Sequence, residues 1–176
     1  EYLEKAFSLE KETNNSFILA NLYQSKAVNY MNINEYIKAL DNLNKALELY
    51  KTQENIFMIN HMYYKIGYIY YQLLDYKKSL IYLNWSSRFF DKNGMKSESI
   101  TNLRTLSFNY TSLYEFDNAL KVIFEALEIS KSMKSQKEIV NILLQINHIY
   151  TIKEDLKNAL KYLNKVLVIR KARKDI

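Results

Sequence analysis

The chain has 176 residues, 48% apolar and 25% charged, with a net charge of +6, enough for one domain with a substantial core or for a short repeat array. It contains no Pro, no Cys, two Gly and sixteen Tyr, which excludes a disulfide framework, a thiol nucleophile and a thiolate metal site and favours helices joined by short links over a fold with many tight corners. Lys and Arg are interspersed with Glu and Asp and cluster only in "IRKARKDI", a solvated surface rather than a nucleic-acid stripe; no apolar run approaches the roughly 18–20 residues of a membrane span, and no signal-peptide pattern opens the chain.

Residues 1–12, "EYLEKAFSLEKE", already follow a helical pattern: Leu3, Ala6, Phe7 and Leu9 correspond to Leu43, Ala46, Leu47 and Leu49. With Glu1 in place of Met, the chain is expected to be a piece of a longer polypeptide that starts half-way through a unit. Helices are then predicted, in order, at 16–33, 36–51, 56–73, 76–91, 96–113, 116–131, 136–153 and 156–172. In the second pair, Tyr63, Ile66, Gly67 and Tyr70 follow i, i+3, i+4, i+7, and Tyr76, Ser79, Leu80 and Leu83 do the same. A tight turn within each pair ends in Glu35, Asp75, Glu115 or Asp155, where a carboxylate is expected to cap the second helix. Between pairs the links are polar ("TNNS", "KNGMKS", "KSMKSQ"). Gly94 fits a helix stop, and Ser135 with Glu138 fits a capping box. "RKARKDI" aligns with the link at 130–139, so the array is expected to continue past Ile176.

The pairs form an internal repeat with a period of forty. Tyr30, Tyr70, Tyr110 and Tyr150 form one column, and Leu40, Leu80, Leu120 and Leu160 another. Small residues fill Ala39, Ser79, Ala119 and Ala159; apolar ones fill Tyr36, Tyr76, Phe116, Leu156 and Leu43, Leu83, Ile123, Leu163. The resulting units are 16–55, 56–95, 96–135 and 136–176, after the half unit at 1–12. A lone pair cannot bury its apolar face, so neighbours must stack. The tyrosine column is expected to pack between helices with its hydroxyls at a polar edge.

Tyr63, Ile66, Gly67, Tyr70, Tyr76, Ser79, Leu83 and Ser86 give the second unit an aromatic, an aliphatic-Gly step, a Tyr and then small residues in order. In this the chain resembles the tetratricopeptide repeat (TPR) family over essentially its whole length. The resemblance implies an all-α, right-handed α-solenoid of antiparallel helix pairs, forming a single repeat domain of about four and a half repeats. The units are longer than the usual family repeat and lack its terminal Pro. The small packing position is Ala27, Gly67, Ser107 and Asn147 in turn, and Asn147 is at odds with tight packing of the fourth pair. Long repeats of this kind are typical of TPR domains in bacterial regulators, sensor kinases and peptide-pheromone receptors.

In TPR folds the first helix of each pair lines a concave groove. The resemblance therefore implies three stripes: Asn21, His61, Thr101, Asn141; Gln24, Tyr64, Arg104, Leu144; and Val28, Tyr68, Phe108, His148. Amides, a guanidinium and aromatic faces suit a peptide, whose backbone needs hydrogen bonds and whose side chains need shallow pockets; several of the aromatics could equally be half-buried support. The family's chaperone-tail clamp maps onto Gln24, Val28, Lys65, Thr101 and Thr105, where only Lys65 is charged and Arg104 is one step displaced, so that ligand is not expected. Outside the groove, Trp85 and Ile81 occupy columns otherwise filled by Lys45, Glu125, Lys165 and by Asp41, Lys121, Lys161. They are a candidate second contact surface, for another domain or a second copy, unless a neighbouring side chain covers them.

Enzymatic signals are missing. His61 and His148 lie in different stripes two units apart, with no Cys to complete a metal site, and no Gly-rich phosphate loop occurs. Nothing pairs a nucleophile with a base. The expectation is a non-enzymatic, cofactor-free, cytoplasmic binding module for a peptide or protein segment, within a bacterial regulatory or sensory protein. A structural scaffold or dimerisation element is the alternative, and nucleic-acid contact through the basic surplus the weakest reading.

Overall fold

A computed structural model describes residues 15–172. They form eight 17-residue helices: α1 Ser16–Asn32, α2 Tyr36–Thr52, α3 Ile56–Gln72, α4 Tyr76–Lys92, α5 Lys96–Ser112, α6 Phe116–Ser132, α7 Gln136–Ile152 and α8 Leu156–Ala172. Every expected helix is present, with ends within one residue of expectation. No strand occurs among the described residues. The half unit at 1–12 and the last four residues of the final unit lie outside them. The chain divides within α4 into two compact units, one ending at Ser86 and the other beginning at Ser87.

The two link types expected from composition share one geometry. Each is three residues long, and its middle residue (Asn34, Glu54, Leu74, Gly94, Tyr114, Lys134 or Glu154) is left-handed, with φ between 52° and 64°. That residue's N–H bonds the carbonyl three positions back, and the next N–H reaches the carbonyl five back, at 2.8–3.1 Å. These paired bonds are the Schellman motif, which satisfies the orphan carbonyls of each helix end. Gly94 and, to a lesser degree, Asn34 adopt this backbone readily; the other five accept strain of about 1–2 kcal/mol each. The backbone thus repeats every twenty residues, while the side chains repeat every forty.

The acidic caps divide by length. Asp75 Oδ1 accepts the Lys78 N–H at 3.2 Å and Asp155 Oδ1 the Asn158 N–H at 3.1 Å. Glu35 and Glu115 make no such bond. Their extra methylene carries the carboxylate past the helix end, and they meet Lys38 at 3.2 Å and Asn118 Nδ2 at 2.8 Å instead. Ser135 caps the Glu138 N–H at 3.4 Å. The reciprocal half of the expected box is not formed, because the Ser135 N–H is already held by the Ser130 carbonyl at 3.1 Å.

In the first unit α1 packs on α2 and α2 on α3. The core holds Ala20, Ala27, Leu43, Leu47, Tyr50, Met62, Ile66 and Ile69. Gly67 lets α4 approach: a Cβ there would stand 2.8 Å from Leu83 Cγ and 3.2 Å from the Leu83 backbone nitrogen. Ser79 Oγ donates to the Gly67 carbonyl at 2.7 Å. In the second unit α5 packs on α6, α6 on α7 and α7 on α8. There the small position donates in the opposite sense: Ser107 Oγ to the Ala119 carbonyl at 3.1 Å, and Asn147 Nδ2 to the Ala159 carbonyl at 2.9 Å. Asn147 is thus accommodated by a hydrogen bond across the α7–α8 contact, not by a gap. Tyr30, Tyr70, Tyr110 and Tyr150 are half-buried. Tyr70 stacks on Tyr82 and Tyr150 on Tyr162, each with centroids 5.6 Å apart.

Candidate functional site

Each unit carries some of the candidate residues. In the first, α1 supplies Asn21, Gln24 and Val28, and α3 supplies His61, Tyr64, Lys65 and Tyr68, all half-buried. The spacings 21–24–28 and 61–64–68 hold each set on one helix face. Asn21 and Gln24 are anchored by a residue that the stripes do not contain. The Tyr50 hydroxyl of α2 lies 2.7 Å from Asn21 Oδ1, to which it donates, and 3.2 Å from Gln24 Oε1. Tyr50 is fully buried, its ring edge-on to Phe17 at 6.4 Å, and burial pushes its pKa up to about 12. The hydroxyl therefore stays protonated and orients the two amides.

On α3 the His61 ring lies against Phe57, with centroids 4.5 Å apart. Lys65 follows one turn later on the same side. Burial lowers its ammonium pKa, since a cation loses hydration there. No carboxylate among the described residues lies within ion-pair distance of it. A half-desolvated cation without a counter-charge seeks an anion.

In the second unit Arg104 is already engaged. Its Nε donates to Gln145 Oε1 at 3.3 Å, and Nη1 meets Glu138 Oε2 at 3.5 Å. Gln145 Nε2 returns a bond to the Arg104 carbonyl at 2.9 Å. Gln145 is one position past the equivalent of Arg104 in the next unit, an offset hidden in the column alignment. The Arg104 guanidinium ties α5 to α7 and leaves part of its surface in solvent. Phe108, Asn141 and Leu144 are half-buried, and Thr101 and His148 exposed. Thr101 turns its hydroxyl back to the Ser97 carbonyl at 2.9 Å.

Ile81 and Trp85 lie on the outer face of α4, 50% and 47% exposed. Trp85 is not isolated: its ring centroid is 5.1 Å from that of Tyr63 and 5.2 Å from that of Tyr82. One side is packed and the other open. Among the described residues no group of three or more His, Asp or Glu could hold a metal ion, and no helix is long and apolar enough to cross a membrane.

No model of a known protein family matches the sequence, and no curated protein matches it. Solved structures do. BtubC from P. vanneervenii is similar at a TM-score of 0.85 and 17% identity, over 99% of this chain and 75% of that one. The Rap conjugation gene regulator of plasmid pLS20, in complex with the Phr* peptide, is similar at 0.77 and 20%, over 90% of this chain and 44% of the regulator. A signal transduction ATPase from Pyrococcus horikoshii with a tetratricopeptide repeat sensor is similar at 0.83 and 17%, over 97% of this chain and 26% of the ATPase. The chain therefore has the TPR-like α-solenoid fold, and it spans less than half the length of the latter two proteins.

Proposed function

We propose that this chain is a non-enzymatic binding module for a peptide or protein segment, and that it serves as the sensory or regulatory part of a larger bacterial protein. Its ligand lies against the inner faces of the first helices of each pair. The observation that carries this reading is the α3 face, where Lys65 stands half-buried between His61, Tyr64 and Tyr68, with no ion pair among the described residues. Such a face offers an acidic or C-terminal carboxylate a charge-assisted bond and offers side chains aromatic walls. The amides of Asn21 and Gln24, oriented by Tyr50, suit a peptide backbone. The similar Rap regulator is itself seen with a peptide, and the similar ATPase carries a sensor of this fold.

Peptides selected from a displayed random library on the purified chain test the proposal. They should carry a carboxylate, bind at least about tenfold more weakly to Lys65→Met, a loss of about 1.4 kcal/mol, and fail on the double variant Tyr68→Ala with Phe108→Ala while helicity is kept. Unchanged binding to both variants would refute this placement. The scaffold reading is favoured by the open side of Trp85. It predicts a self-associated particle that Trp85→Lys reduces to a single chain, and a monomeric parent chain rules it out.

A further inference from the structure

In the second unit α6, α7 and α8 line an open cleft of about 590 Å³, a size usual for small-molecule sites. Leu127, Ile139, Leu143 and Ile169 give it apolar walls, Lys131, Lys161 and Lys165 stand around it, and no carboxylate lines it. None of the inner-face candidates Thr101, Arg104, Phe108, Asn141, Leu144 and His148 belongs to it. In α2, Asp41, Asn44, Lys45 and Glu48 match the α8 residues of the cleft and are exposed although α3 packs on that helix. In α6, Lys121, Glu125 and Glu128 are exposed although α7 packs there. This side of α8 is therefore the one that a following helix of the array leaves open.

The first unit shows what such a cleft accepts. Eighty positions earlier, Leu47, Lys51, Ile59 and Asn84 repeat Leu127, Lys131, Ile139 and Asn164. Tyr63, Ile81 and Trp85, however, stand where the cleft has Leu143, Lys161 and Lys165. The Tyr63 and Trp85 rings lie together with centroids 5.1 Å apart, and Tyr82 lies 5.2 Å from Trp85. The second unit keeps the surrounding residues, has neither ring at those two positions, and carries two cations instead.

Charge gives the rest of the chemistry. Lys131 is neutralised by Glu128 at 2.7 Å. Lys161 and Lys165 have no ion pair among the described residues and lie over the Tyr162 ring, at 5.9 and 4.7 Å. The matching residues of α2, Asp41 and Lys45, pair with each other at 2.7 Å, and those of α6 are Lys121 and Glu125. Two cations one turn apart at the mouth of an apolar cleft attract an anion that carries an apolar body.

We propose that this cleft binds a small aromatic carboxylate. Its ring takes the place that Tyr63 and Trp85 fill in the first unit, against Leu143 and Ile139, and its carboxylate meets Lys161 and Lys165.

Titration calorimetry on the chain, with four probes, tests the proposal: 2-naphthoate, 2-naphthalenemethanol, 2-naphthylmethylamine and decanoate. Naphthoate should bind at least about tenfold more tightly than the amine, and more tightly than decanoate. Lys161→Met with Lys165→Met, both at exposed positions, should weaken naphthoate to the level of the alcohol and leave the alcohol unchanged. Lys161→Ile with Lys165→Trp copies the first unit and should abolish binding of acid and alcohol alike, with helicity kept by circular dichroism. No binding of naphthoate, or equal binding of acid and amine, overturns the inference. So does tighter binding of decanoate, naphthoate binding that survives the methionine variant, or alcohol binding that survives the tryptophan variant.

Discussion

The two units bury different chemistry at matching positions. The first fills its interior mostly with rings and long aliphatics, with four buried polar side chains among its described residues, Asn42, Asn60, Ser79 and Ser86: Tyr50, Met62, Ile66 and Ile69 are fully buried, and Tyr63, Tyr70 and Tyr82 pack around them. The second buries Ser99, Asn102, Thr105, Ser107, Asn109, Thr111, Ser130 and Gln145 among its described residues. Where the first unit has Tyr50 reaching Asn21, the second has Ser130, which bonds only its own helix at the Leu127 carbonyl, 2.8 Å away. α5 makes the contrast sharpest. Thr105, Asn109 and Thr111 each turn a side chain to the carbonyl four residues back, at 2.7–3.0 Å. Both threonine hydroxyls and the Asn109 Nδ2 are thereby satisfied within the helix, which lowers the penalty of burying them, whereas Asn109 Oδ1 is buried without a hydrogen-bond partner among the described residues. Position in the repeat decides what is buried, and local hydrogen bonding lets a polar side chain occupy an apolar site.

That comparison can be broken first at its common ground. Ile66 and Leu106 are equivalent and both fully buried; truncation to Ala should cost about 2–5 kcal/mol in each, read by chemical denaturation. A clearly cheaper Leu106→Ala would mean that the polar unit is loosely packed. Next come Gly67 and Ser107. Gly67→Ala forces a methyl against Leu83, including its backbone nitrogen, and should cost about 1–3 kcal/mol. Ser107→Ala removes one bond to the Ala119 carbonyl and should cost about 0.5–1.5 kcal/mol. Reversal of that order would show that the α3–α4 approach is softer than the geometry implies.

The smallest effect isolates the aromatic unit. Tyr50→Phe should cost about 1 kcal/mol at neutral pH. Unfolded, the phenol ionises near its ordinary 10.0, and in the fold near 12. The folded state then holds the proton more tightly, so this contribution is complete below pH 10 and falls away as pH rises through 12. The parent chain should lose stability faster over that window than Tyr50→Phe. Parallel profiles would show that the buried hydroxyl is not the source.

Much of the fold was legible in the sequence. The columns at forty fixed the helices because apolar spacing and small contact residues recur together. The twenty-residue backbone period stayed hidden, because Asn34, Glu54, Leu74, Gly94, Tyr114, Lys134 and Glu154 share a conformation and no chemistry. The polar interior of α5 was also invisible, since a threonine that bonds its own helix looks like any surface threonine. Of the candidate site, the half-buried placement of the α3 face was readable from its columns. The ties that hold it were not: Tyr50 sits in a column of Tyr, Phe, Ser and Arg, and Arg104 meets Gln145 at an offset no single column shows. The aromatic recurrence at Tyr50 and Phe90 was the available signal for the first.

Within each unit the principal packing joins helices that are consecutive along the chain. Low contact order of this sort belongs to proteins whose chain searches are brief, with folding in microseconds to milliseconds. Because the sequence holds no proline, prolyl isomerisation cannot add a slow phase of tens of seconds. Refolding from denaturant should therefore finish without such a tail, and each hairpin of helices can form as soon as its forty residues emerge from synthesis.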